Sequence, residues 1–144
     1  MGIDADVRNL VGRYCDAVLR ADIDVFADCW STDARWHIPG DGTIEGRTAI
    51  TEVFARIRPM YAQCVQEVLN GTISYGSGDD ASASWQIREC QWFADGTRSE
   101  LVGVYHDTMG RGEDGVLRFT DRDFELIVRT AADGTTRLHP PRRP

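Results

Sequence analysis

Apolar residues recur at every third or fourth position in the N-terminal part of the chain, and this period is typical of helices. The pattern predicts an amphipathic helix over residues 4–21 and a short second helix over residues 23–30. A third helix is predicted between Gly46 and Pro59, which would end it. The apolar face of the first helix consists of Val7, Leu10, Val11, Tyr14, Val18 and Leu19.

Beyond Pro59 the pattern changes to the alternation of apolar and polar residues that is typical of strands. The predicted strands are residues 35–38, 65–75 (broken or bulged at Gly71), 83–93, 100–109 and 116–129. We therefore predict an α+β fold in which three helices pack on a strongly curved, mostly antiparallel sheet and leave a conical cavity. This single domain is expected over residues 1–130, followed by a flexible tail over residues 131–144.

Charge and composition exclude several classes of protein. The 144 residues include 16 basic and 23 acidic ones, a net charge of −7, so we expect no nucleic-acid partner. Every basic residue is an arginine, which excludes a Schiff base on lysine. No apolar run resembles a signal segment or a membrane span, so we expect a cytoplasmic protein without a membrane partner.

The cysteines and histidines do not follow a metal-binding pattern. No two cysteines have the spacing of a metal site, and the histidines are scattered along the chain. We therefore expect four reduced thiols and predict no metal site and no cofactor. The residues concerned are Cys15, Cys29, Cys64, Cys90, His37, His106 and His139.

Asp22 is the first candidate for chemistry. It follows Val18 by one helical turn, which places a carboxylate on the core side of the end of the first helix. Such a carboxylate is costly unless it is paired or functional, and burial in an apolar cavity would suit it to general acid–base catalysis. The alternative is a surface acid, or a cap for the helix that begins near Asp24.

Arg122 is the second candidate. Strand periodicity places it on one face with residues 116, 118, 120, 124, 126 and 128, and Phe124, Leu126 and Val128 mark this face as inward. A buried arginine needs a carboxylate or an anionic ligand. The sequence leaves two possibilities open: substrate contact, or an internal salt bridge with Asp22 or Glu89.

Other candidates are a histidine and several aromatic residues. His106 shares a strand face with Val102 and Val104, and its intrinsic pKa makes it the best general acid–base candidate. Tyr14 lies two helical turns before Asp22, so its hydroxyl could donate to an oxyanion, although a core aromatic is the simpler interpretation. One or two tryptophans would line a wide aromatic pocket.

Four stretches of the chain resemble the SnoaL-like branch of the NTF2-like superfamily, and the resemblance extends over roughly residues 7–128. They are Tyr14 to Gly46, Pro59-Met60-Tyr61, Val104-Tyr105-His106-Asp107 and Asp114-Gly115-Val-Leu-Arg118-Phe119. Within that branch the chain is similar to scytalone dehydratase, bacterial bile-acid dehydratases and hexachlorocyclohexane dehydrochlorinase. The resemblance implies the conical fold and a homodimer or homotrimer.

The resemblance also implies site residues. The family pairs an Asp at the end of the first helix, which matches Asp22, with a His on the strand after the third helix, where this chain has Gln66. A glutamine cannot take a proton at neutral pH, so a relocated pair of Asp22 with His106 is the alternative. His106 matches a cavity-lining position of the family, and Arg122 lies near a position where an arginine contacts substrate.

The sequence thus predicts a cofactor-independent lyase, isomerase or cyclase that acts on a hydrophobic, cyclic or polyketide-like molecule. Asp22 would act as base or acid, His106 as its partner, and Tyr14 or Gln66 as hydrogen-bond donor to an oxygen. Substrate contacts are expected from Arg122, Gln66, Trp36, Trp85 and Ile38. Two alternatives remain: a non-catalytic binding protein of the same fold, and the small subunit of a ring-hydroxylating dioxygenase.

Overall fold

A computed structural model describes residues 2–143. The helices of this part of the chain are α1 (Ile3–Arg20), α2 (Ile23–Asp28) and α3 (Arg47–Ile57), which continues into a 3₁₀ turn (Arg58–Met60). Its strands are β1 (Trp30–Ile38), β2 (Gly42–Glu45), β3 (Gln63–Tyr75), β4 (Ala81–Trp92), β5 (Arg98–Arg111), β6 (Leu117–Thr130) and β7 (Thr136–Leu138).

The strands form one sheet in the order β2-β1-β6-β5-β4-β3, and β7 is added beside β6. All neighbouring strands run antiparallel except β1 and β6, which pair in parallel. The three helices pack over one face of this curved, open sheet. The predicted α+β architecture is therefore confirmed, while β2 and β7 are strands that the sequence pattern did not predict.

Aromatic rings fill the core between helices and sheet. Phe26 of α2 stacks on Phe54 of α3 with ring centroids 3.8 Å apart. Tyr14 of α1 meets Trp30 and Phe119 edge-on, at 6.0 and 5.7 Å. The buried face of α1 is the predicted one, except that Leu19 at its edge is 37% exposed. No helix of residues 2–143 combines the length and the apolar character needed to cross a bilayer.

The inward face of β6 differs from the predicted one because the strand contains a bulge. Thr108 pairs with Asp121 and Met109 with Phe119, so Thr120 has no residue opposite it on β5. The alternation of inward and outward side chains along β6 therefore reverses at Thr120. Phe119 is buried before the bulge and Arg122 after it. The prediction that Arg122 faces inward is thus right, but the prediction that residues 116, 118 and 120 share its face is wrong. The prediction for Val128 is also wrong, because a second register shift between Leu126 and Val128 turns Arg129 toward the cavity instead.

The C-terminal segment forms a strand where the sequence predicts a flexible tail over residues 131–144. Gly134, with φ of 87°, closes a tight turn after Asp133, and β7 then pairs with β6. Further along, Arg142 forms an ion pair with Asp123, and its backbone N–H donates to Glu125. The sequence contains the Asp133-Gly134 pair that is typical of such turns. This turn brings β7 back onto β6 and so attaches the segment to the sheet.

Candidate active site

A cavity of about 310 Å³ lies between the helices and the concave face of the sheet. Its walls come from α1, the end of α3 and the 3₁₀ turn, and from strands β1 and β3 to β6. Apolar side chains supply most of the lining, among them Val18, Trp36, Ile38, Phe54, Ile87 and Phe124. An apolar enclosure of this size with a few polar groups is typical of a small-molecule site.

Glu89 is the carboxylate on the sheet wall of this cavity. Its strand position alternates with Ile87 and Gln91, so all three side chains face inward, and strand pairing places Glu89 directly opposite Gln66. The Gln66 amide donates to Glu89 Oε1 at 2.8 Å, and the Gln91 amide donates to Oε2. Gln91 is itself held by the hydroxyl of Ser99, at 2.7 Å. The carboxylate is therefore held by two amides, one on each oxygen.

Two tyrosines flank this group. Tyr105 of β5 and Tyr14 of α1 are both buried and both line the cavity, and Gln66 Nε2 donates to the Tyr105 hydroxyl at 3.4 Å. Burial raises the pKa of Tyr105 to about 12, although Arg122 opposes this shift. Burial, and then the neighbouring Tyr105, raise the pKa of Tyr14 well above its ordinary value. Both hydroxyls stay protonated near neutral pH and can act as hydrogen-bond donors.

Arg122 and Asp107 form a buried ion pair beneath the tyrosines. Arg122 is 1% exposed, and its Nε and Nη2 donate to the two oxygens of Asp107 at 2.9 and 3.2 Å. The guanidinium carbon lies 3.7 Å from the ring centroid of Tyr105 and 4.2 Å from those of Tyr14 and Phe119. Neither member of the pair lines the cavity, so it supports the tyrosine rings from behind.

Two arginines of the cavity wall have no carboxylate partner within residues 2–143. Arg58 is 7% exposed, and it donates to the carbonyl oxygens of Val18, Leu19 and Tyr61 at 2.6, 3.0 and 3.0 Å. It thereby caps the C-terminal end of α1. Arg129, near the end of β6, also lines the cavity and is exposed.

Four of the predicted site residues line the cavity: Tyr14, Gln66, Trp36 and Ile38. Trp36 is buried, and its indole N–H has no hydrogen-bond partner within residues 2–143.

Two predicted catalytic residues lie elsewhere. Asp22 caps α2, because its Oδ1 accepts from the backbone N–H of Val25 at 3.0 Å, which is the alternative that the sequence left open. His106 lies on the outer face of the sheet, where its Nε2 contacts Glu125 Oε1 at 2.8 Å. Val102 and Val104 share that outer face, because Gly103 and Tyr105 point inward. The expected pairing of Asp22 with His106 is therefore absent from the cavity formed by residues 2–143.

Two predicted substrate contacts are also placed elsewhere. Trp85 packs in the core under α1, with Arg8 5.8 Å from its ring centroid, and does not line the cavity. Arg122 is paired with Asp107 rather than with either acid that the sequence suggested, Asp22 or Glu89. Both residues are fully enclosed, so neither reaches a ligand in the cavity.

The sequence analysis missed the acid that faces the ligand space. Alternation along residues 83–93 would have placed Ile87, Glu89 and Gln91 on one face, but Glu89 was considered only as a partner for Arg122. Tyr105 and Asp107 were missed because the neighbouring valines were taken to mark the inward face. Within residues 2–143, no three side chains of His, Cys, Asp or Glu are grouped as a metal ion would require.

Comparison with known proteins bears on the fold and the family. A search of curated protein sequences found no match. Among solved structures, LinA superposes with a TM-score of 0.82 at 23% identity, over 96% of this chain and 94% of LinA. The type 3 hexachlorocyclohexane dehydrochlorinase LinA from Novosphingobium barchaimii gives 0.80 at 18% identity, over 96% and 94%.

A candidate scytalone dehydratase from Novosphingobium aromaticivorans gives a TM-score of 0.79 at 14% identity, over 96% of this chain and 88% of that one. Likeness at these identities concerns the fold. The sequence profile of the SnoaL-like domain matches residues 3–123, which is most of the chain. The chain therefore belongs to the SnoaL-like family of the NTF2-like superfamily.

Proposed function

We propose that this protein is a lyase, isomerase or cyclase that moves a proton on a hydrophobic, cyclic or polyketide-like small molecule, without a cofactor. The observation that carries the proposal is Glu89, a carboxylate held by two amides in a mostly apolar cavity beside two protonated tyrosines. Dehydrochlorinases and a candidate dehydratase among the structural neighbours support the same class of reaction.

The proposed chemistry needs a base, a donor and a dry enclosure. Glu89 takes a proton from a carbon next to a substrate carbonyl, and the C–H electron pair forms a carbon–carbon double bond as the carbonyl oxygen becomes an enolate. The hydroxyl of Tyr105 or Tyr14 donates to that oxygen. Elimination follows when a leaving group departs with its electron pair, and isomerisation follows when Glu89 returns the proton to another carbon.

Other residues have positioning roles in this proposal. Trp36 and Ile38 contact the apolar body of the ligand. Gln66 orients Glu89 instead of serving as the base, and the ion pair of Arg122 with Asp107 fixes the tyrosine rings. Glu89 replaces Asp22 and His106 as proton carrier because neither of those side chains lines the cavity.

The test is turnover of a panel of hydrophobic cyclic β-hydroxy ketones and linear polyketide-like ketones in D₂O, followed by mass spectrometry. Glu89→Gln keeps the size of the side chain but removes the base, so we expect the rate to fall by about 10²- to 10⁴-fold. Asp22→Asn keeps the helix cap, and it should change the rate by less than about threefold, as should His106→Gln. A normal rate for Glu89→Gln would overturn the assignment.

A non-catalytic binding protein of the same fold is the second candidate. It is favoured by Gln66, which stands where the family has a histidine and which cannot accept a proton. This candidate predicts that ligands bind without turnover and that Gln66→His gains no activity. Deuterium uptake by any ligand of the panel with the wild type, lost in Glu89→Gln, would exclude it.

A further inference from the structure

The arginines around the cavity have more hydrogen-bonding capacity than the protein uses. A guanidinium carries five N–H donors, and Arg58 spends three of them on backbone carbonyls. No carboxylate oxygen of residues 2–143 lies within 4.0 Å of its nitrogen atoms. Arg58 is thus a cation that is more than nine-tenths buried, lines the cavity and has two N–H groups left. A buried charge without an ionic partner is costly unless a ligand supplies one.

A second, independent observation comes from the β6–β7 pair. The register places Arg129 directly opposite Arg137, so two like charges are neighbours on one face of the sheet. Neither forms an ion pair with any residue in the part of the chain that the structure describes. Like charges directly opposite each other destabilise a sheet. The chain has a net charge of −7, so acidic residues that could have paired with these arginines are abundant.

We propose that the cavity takes a hydrophobic molecule bearing one carboxylate, which Arg58 and Arg129 bind. Guanidinium groups match carboxylates in charge and in planar, two-pronged geometry. Glu89 and the exposed Asp41 also line the cavity and would repel a second negative charge on the ligand. A ligand with one carboxylate is therefore favoured over a dianion, and this carboxylate binds to the arginines. The apolar wall holds the rest of the molecule. The proposal uses the cavity of the proposed function and names the class of its ligand.

Binding can be measured without turnover, by isothermal titration calorimetry at pH 8. The probes are benzoate, 2-naphthoate and biphenyl-4-carboxylate, each compared with its neutral amide. We expect the best acid to bind about tenfold more tightly than its amide, a difference that falls as salt is raised. Arg129→Gln should weaken acid binding about three- to tenfold and leave amide binding unchanged.

Three further variants serve as controls for the binding test. Arg8→Gln removes an exposed arginine far from the cavity lining and should leave both affinities as in the wild type. Arg58 also caps α1, so Arg58→Lys, which keeps the charge, is compared only after its thermal melting shows a folded protein. Glu89→Gln should keep or strengthen acid binding because it removes a like charge.

Equal affinities for acids and amides across the panel, or no binding of any acid, would overturn the carboxylate proposal. An equal loss of acid and amide binding in Arg129→Gln would do the same. The proposed function has a separate test: it requires that Glu89→Gln loses turnover, whatever the outcome of the binding measurements. Turnover of neutral ketones by a protein without acid preference would leave that function standing.

Discussion

At the scale of single residues, surroundings decide what a charged side chain does. Arg122 and Glu89 are both charged residues on the inward face of the sheet, but only Glu89 reaches the cavity. Arg122 is enclosed by three aromatic rings and paired with Asp107 through Nε and Nη2, while its Nη1 has no partner within residues 2–143. Burial raises the pKa of Asp107 to about 6, against the opposing effect of Arg122.

This enclosure predicts a large cost for breaking the Arg122–Asp107 pair. Asp107→Leu leaves a buried cation unpaired, so we expect the free energy of unfolding to fall by about 3–5 kcal/mol. Urea denaturation at pH 7 measures the change. The double variant Asp107→Leu, Arg122→Met replaces both charges with apolar side chains and should recover most of the loss.

An exposed pair provides the control. Asp16 and Arg20 are one turn apart on α1 and more than half exposed, so Asp16→Asn should cost less than about 1 kcal/mol. A double variant no more stable than Asp107→Leu alone would contradict the view that unpaired charge is the source of the loss.

At the scale of elements, bulges decide which residues face the cavity. Alternation correctly indicated that Arg122 and Phe124 lie inside, but one extra residue at Thr120 reversed the faces before it. In β3 the sequence predicted a break or bulge at Gly71. The register shift falls at Leu69, between Val68 and Asn70, and the strand continues through Gly71.

Gly71 instead makes room for a ring from the neighbouring strand. A Cβ atom there would lie 2.2 Å from Cε3 of Trp85 and 2.9 Å from the carbonyl oxygen of Ser84. Gly71→Ala should therefore lower the free energy of unfolding by about 1–3 kcal/mol, measured by urea denaturation. The control is Gly76→Ala, where the nearest atom would be at an ordinary 3.5 Å. Equal stability of the two variants would show that β3 can shift away from Trp85 at no cost.

At the scale of the whole molecule, one ion pair and one backbone hydrogen bond attach the C-terminal segment to the sheet and link its stability to pH. Arg142 lowers the pKa of Asp123, and a hydrogen bond from the Arg142 backbone lowers the pKa of Glu125. A lowered folded-state pKa means that the unfolded chain binds more protons, so this stability is present above about pH 4 and is lost as the pH falls.

Asp123→Asn tests this linkage. We expect the variant to be less stable than the wild type at pH 7, by less than about 1 kcal/mol because the pair is partly exposed, and equally stable at pH 2.5. Urea denaturation across that range measures the difference. Glu52→Gln, an exposed acid on α3, should show no such convergence. A loss of equal size at both pH values would contradict the pH linkage.

The sequence by itself determined the fold class, the buried face of α1 and the family, because helical and strand periods are local properties of the chain. It also placed Tyr14, Gln66, Trp36 and Ile38 at the cavity. Only the tertiary structure paired Glu89 with Gln66. That contact depends on strand register and bulges over 23 positions of the chain, which no local pattern specifies.

The same reason explains why Asp22 and His106 do not line the cavity. The spacing of Asp22 fits both a cavity position and a helix cap. In the structure it is a cap, because its side chain accepts a hydrogen bond from the backbone N–H of Val25. His106 and Tyr105 are adjacent in sequence but lie on opposite faces of β5, and helix packing decided which face became the interior. The sequence determined that there would be a cavity, and the packing of helices on the twisted sheet decided which polar residues line it.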